Sequence, residues 1–138
     1  MSYQDTDLLP LLERDRRYPM EAYRFIYDAL KFAQEDLHMG ADEESEDREE
    51  QDLTERHLTG QDLCEAIRRY SLQQYGYMAK VVLNRLGMHC TRDFGNVVYN
   101  LIGIGMMRKS RQDRREHFDD VYDFEIVFRQ EYRFEVRD

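Results

Sequence analysis

Apolar side chains return every three or four positions in separate blocks of this chain, and that spacing constrains its fold more than any other feature. Ala22, Phe25, Ile26, Ala29, Leu30, Ala33 and Leu37 trace one face of a helix that opens near Pro19 and runs to about His38. Leu63, Ile67, Tyr70 and Ser71 form a second face from Thr59 towards Tyr75, where Gly76 breaks or bends the helix. Met78, Val81, Val82 and Leu86 resume it until Gly87. Phe94, Val97, Val98, Leu101 and Ile102 follow at i, i+3, i+4, i+7 and i+8, between Thr91 as a cap and Gly105 as a stop. Leu8, Leu9, Leu11 and Leu12 around Pro10 make at best a short helix. The "TGQD" of residues 59–62 reads as a cap with Asp62 near a capping-box position. Asp123 caps a short helix through Phe128, whereas alternation in "YRFEV" suggests an extended end. The spacing therefore predicts a mainly α fold: a compact helical domain of four to six helices with a short C-terminal extended segment.

The length of 138 residues fits one domain, 1–138, with enough chain to bury a core without staples. Between the first helix and the rest lies "MGADEESEDREEQDLTERH", residues 39–57. Its nine acidic side chains and near-absence of apolar ones read as a flexible, solvated linker. The net charge of -9 is unevenly spread: residues 1–58 carry -10, residues 59–117 carry +5, and residues 118–138 carry -4. A basic middle between acidic flanks favours intramolecular pairing and opposes strong non-specific nucleic-acid binding by the whole chain. No run reaches the ~20 apolar residues of a membrane span. The acidic start lacks the n- and h-regions of a signal peptide, and two cysteines make no disulfide framework. A cytoplasmic location and no membrane association are expected.

Asp93-Phe94-Gly95 spells a kinase magnesium motif. The residues before it contain no G-x-G-x-x-G loop, no strand lysine motif and no H-R-D, so phosphoryl transfer is excluded. Asp93 instead suits the positive end of a helix dipole. His57, Cys64, His89, Cys90 and His117 match neither C-x₂₋₄-C nor H-x₃₋₅-H spacing, and Cys64 reads as a buried thiol on the inner side of a helix. Asp119, Asp120 and Asp123 lack the alternating ligands and central glycine of a calcium loop. No metal, no cofactor and no catalytic residue is expected.

The strongest candidate site is the basic cluster Arg108, Lys109, Arg111, Arg114 and Arg115 after the helix from Thr91. By analogy at the level of fold, a helix ending in "LIGIGMMRKS" is similar to the end of a winged-helix domain, where a basic wing follows. A recognition helix needs basic or amide side chains along its outer face, and here that face would offer only Arg92, Asn96, Tyr99 and Asn100. The reading that follows is a non-enzymatic protein–protein interaction module, with a protein partner or self-association. The alternative is a winged-helix-like nucleic-acid binder using residues 108–115, with weak binding.

Several separated blocks, "HLTGQDLCEAIRRYSLQQYGYMAKVVLNRLGM", "DFGNVVYNLIGIGMMRKS", "FDDVYDF" and the upstream "RDRRYPMEAYRFIYDALKFA", occur in an order that resembles a bacterial family of planctomycetes and related lineages, the Minf family. The resemblance covers nearly the whole chain apart from the acidic stretch. It implies a bacterial cytoplasmic protein; the family has no established activity, so no catalytic residue is carried over.

Overall fold

The computed structural model describes residues 8–38 and 58–128. The expected acidic linker 39–57, His57 and the alternating "YRFEV" of residues 132–136 lie outside them. Among the described residues there are five helices, α1 (Leu9–Arg14), α2 (Met20–Glu35), α3 (Gly60–Tyr75), α4 (Ala79–Arg85) and α5 (Thr91–Gly103), with a further helical turn at 124–128 and no strand. The mainly α expectation holds, while the region after α5 contains no wing: residues 104–114 are irregular chain.

Each helix starts where local chemistry starts it. Pro19 precedes α2 with an extended backbone that also suits its fixed φ. Thr59 forms a full capping box with Asp62: its hydroxyl accepts from the Asp62 N–H at 3.0 Å, and the Asp62 carboxylate accepts from the Thr59 N–H at 3.4 Å. Asp123 accepts the Glu125 N–H at 2.8 Å and opens the turn at 124–128, as its position predicted.

One core joins the sequence blocks. α2 packs against α3 and α5 through Phe25, Ile26, Ala29 and Ala33, meeting Leu63, Cys64, Ile67 and Leu101 in the same buried cluster. Phe25 stacks on Tyr75 (5.9 Å between centroids) and tilts against Tyr70 (5.3 Å), so aromatic rings fill the α2–α3 seam. The end of the described chain docks on the start of α5, where Phe94 stacks on Phe124 at 5.4 Å and Phe124 meets Phe128 edge-on at 5.2 Å.

Three expectations need correction. The 3-10 turn Gly76–Met78 shifts the phase of the helix it joins, so α4 buries Ala79 and Leu83 while Met78 and Val81 are 44% and 46% exposed. Val82 and Ile102, expected in the core, are only half-buried. Thr91 does not cap α5, since Cys90 holds that position. The Thr91 hydroxyl is wholly buried, donates to the Phe118 carbonyl at 2.6 Å and accepts from the Val121 N–H at 3.1 Å. It fastens the C-terminal stretch to the helix start.

Candidate functional site

α5 carries a polar row on a face the sequence assigned to solvent. Asp93, Asn96 and Asn100 lie at i, i+3 and i+7, and all three turn inward onto α2 and the loop before it. The Tyr18 hydroxyl donates to Asp93 Oδ1 at 2.5 Å, and Asn96 donates to the Tyr18 oxygen at 3.0 Å. Asn100 donates to Asp15 Oδ2 at 2.9 Å and to the Tyr23 hydroxyl at 3.1 Å. Asp93 also accepts the His89 N–H at 2.8 Å, which satisfies a donor at the helix start. Burial first, then the Asp93 carboxylate, push the Tyr18 hydroxyl far above the usual tyrosine range. Asn96 is 7% exposed and fully engaged, so it offers nothing to a base edge.

The five basic residues do not form one face. Arg115 folds back onto α5, donating to Asn96 Oδ1 at 3.1 Å and placing its guanidinium over the Tyr99 ring, 5.1 Å from the centroid. Lys109 donates to the Ser110 carbonyl at 3.1 Å. Arg111 is exposed and stands apart from the others' groove. Arg108 and Arg114 edge a groove of about 450 Å³.

Four chain segments build that groove. α2 contributes Leu30 and Lys31, the start of α3 contributes Leu58 and Leu63, and α5 contributes Val98, Tyr99 and Ile102. Residues 105–118 close the far side with Met106, Met107 and Phe118. The floor is apolar and the rim is charged: Lys31, Arg108 and Arg114 against Glu35 and Asp113. The Asp113 carboxylate accepts the Ser110 N–H at 2.9 Å, which shapes the turn of the basic segment. Phe118 is held at the base because Gly60 and Gly95 leave room for the turn Arg115–Phe118 between α3 and α5.

One polar atom in the groove is out of place. The Tyr99 hydroxyl is shielded from solvent and has no hydrogen-bond partner. Burial and then the Asp113 carboxylate raise its pKa. Ser71 Oγ is the other such atom, but Ser71 lies in the core away from the groove. A buried hydroxyl without a partner carries a desolvation cost of about 1–3 kcal/mol.

The remaining candidates separate. Cys64 is wholly buried and burial pushes its thiol up to about 12, as its position on the inner helix face predicted. Cys90 is exposed. Asp119 pairs with Arg92 at 3.2 Å, Asp123 caps a turn, and the His117 ring nitrogen accepts the Arg114 N–H at 3.4 Å. No group of three metal-ligating side chains occurs among the described residues, and no described helix is long and apolar enough to cross a membrane.

Sequence reasoning missed Tyr99, Lys31 and Met106 as parts of one site. A polar-tipped tyrosine between Val98 and Ile102 was the available signal, but the groove joins segments distant in sequence. No family model, curated protein or solved structure matches the chain.

Proposed function

We propose that this chain is a non-enzymatic, cytoplasmic protein–protein interaction module, and that the groove between α2, α3, α5 and residues 105–118 receives the partner. The observation that carries this reading is the groove's composition. An apolar floor of Leu30, Leu63, Val98 and Ile102 lies beside two adjacent methionines and is edged by charge. Concave apolar surface with a few convergent polar groups is the usual form of a binding site. Methionine side chains adapt to varied apolar partners.

The nucleic-acid alternative draws less support from the same geometry. Phosphate binding by residues 108–115 needs several cations on one face, whereas Arg115 is committed to Asn96 and Tyr99. Base reading from α5 needs free amides, whereas Asn96 and Asn100 are bonded inward.

The test is a display selection of random peptides on the intact chain, followed by methyl NMR mapping, with duplex DNA titrated in parallel. Selected peptides should shift the Leu30, Ile102 and Met106 methyl signals. Duplex DNA should bind no tighter than about 10⁻⁵ M at ~150 mM salt. Submicromolar, sequence-dependent DNA binding, or peptides that map away from the groove, would overturn the proposal.

A further inference from the structure

We infer that the groove selects a short peptide segment carrying one bulky apolar side chain beside one or two carboxylates, with an acceptor oxygen of that segment on the Tyr99 hydroxyl. This deepens the interaction-module reading and rests on it. Three independent features of the site specify the ligand.

The first is size and lining. A volume of about 450 Å³ suits a large side chain and its flanks, and Leu30, Leu63, Ile102 and Met106 supply apolar contact around it.

The second is charge. Lys31 on α2 faces the groove from one side, and Arg108 and Arg114 from the basic segment. Glu35 and Asp113 share the same rim, which leaves a surplus of one positive charge. That surplus matches one or two carboxylates. It is too small for a polyanion such as a nucleic-acid backbone, particularly on a chain of net charge -9.

The third is the Tyr99 hydroxyl, a donor with no acceptor inside the protein. Its ring is fixed by the Arg115 guanidinium stacked on it, which is itself tied to Asn96. The donor is thus held in place before any ligand arrives, so a partner oxygen gains the bond at little ordering cost. A hydroxyl serving only the fold would be bonded within the fold.

The experiment uses the intact chain and a synthetic peptide library of fixed format: random flanks around a Leu, Phe or Trp anchor, in versions with Asp/Glu, Asn/Gln or Lys beside it. The acidic version should bind about tenfold tighter than the amide version, as a charge-assisted contact would give. Tyr99→Phe should weaken the acidic peptide about three- to tenfold, the scale of one hydrogen bond, without lowering the melting temperature. A purely structural hydroxyl would show the opposite, a lower melting temperature with affinity unchanged, and that result overturns the proposal.

Other outcomes separate the two readings. Equal affinity of the three versions, with groove signals shifting, overturns the ligand chemistry and leaves the groove as a protein-binding surface. Peptides that do not bind, or that map elsewhere, overturn both. An N-acetyl-Leu-Asp probe binding as tightly as the longer peptides would make the site one for small amphipathic anions. Groove signals that move on deleting residues 41–54, or on dimerisation, would assign the groove to the chain itself. Each of these also overturns the proposal.

Discussion

Gly95 approaches Phe118 so closely that a Cβ built on the glycine would lie 2.8 Å from the ring's Cγ. The third letter of the kinase-like triplet thus has a packing role. The first letter has an anchoring one, through Asp93 and Tyr18. The second, Phe94, is wholly buried in the core. Phe118 in turn forms part of the groove wall, so the close approach inside α5 fixes one side of the binding surface.

Gly95→Ala therefore sets two effects against each other. Alanine in a helix interior is favoured over glycine by about 0.5–1 kcal/mol. The added methyl overpacks a ring that is 4% exposed, at a cost of about 1–3 kcal/mol. The clash should win, giving a net loss in denaturant unfolding. The loss should shrink when Phe118→Leu is already present, because the ring atoms at issue are gone. A stabilised Gly95→Ala protein would contradict this packing.

Leu101 and Val82 provide a second comparison. Leu101 is wholly buried between α5 and its neighbours, so Leu101→Ala should cost about 2–5 kcal/mol. Val82 is only half-buried, and Val82→Ala should cost about 1 kcal/mol or less. Urea midpoints of the two variants check the ordering. Equal losses would mean that α4 packs with the phase the sequence alone suggested.

That phase error shows what the sequence made legible and what it did not. Helices α2, α3 and α5 could be read because their apolar faces recur at 3.6 residues and their starts carry Pro19, the Thr59–Asp62 box and Asp93. α4 was misphased because the 3-10 turn at Gly76–Met78 rotates the chain, a change no periodicity reports. Asn96 and Asn100 looked solvent-facing because amides usually are; their burial depends on Tyr18, Tyr23 and Asp15, which lie more than 70 residues away. The basic cluster was found as a composition, but its division between Arg115 and the groove edge is a tertiary fact.

Asp15 gives the chain an acid-sensitive contact. Its carboxylate accepts from Arg17 Nε at 2.9 Å and Nη2 at 2.8 Å, and from Asn100 at 2.9 Å. The Arg17 guanidinium holds its pKa well below the usual carboxylate range, more than burial raises it. A depressed folded-state pKa contributes stability that is complete above the unfolded value of about 3.9 and declines as pH falls below it. Asp15→Asn should be less stable than the parent chain at neutral pH, and the gap should narrow on acidification below about pH 4. Thermal unfolding of both proteins across that range checks the sign. A gap that widens in acid would show that the carboxylate is not the stabilising species.

The central claim is that the groove, rather than the basic cluster as a whole, is the binding surface. The most direct measurement is a calorimetric titration of an acidic, apolar-anchored peptide into Arg114→Ala and Arg111→Ala. Both substitutions remove an exposed cation from the same segment, but only Arg114 edges the groove. Arg114→Ala should weaken binding about tenfold, the scale of one charge-assisted contact. Arg111→Ala should change it less than about twofold, as expected for a charge outside the contact. Equal losses from the two variants would mean that the cluster acts as a diffuse positive field, and would contradict the account.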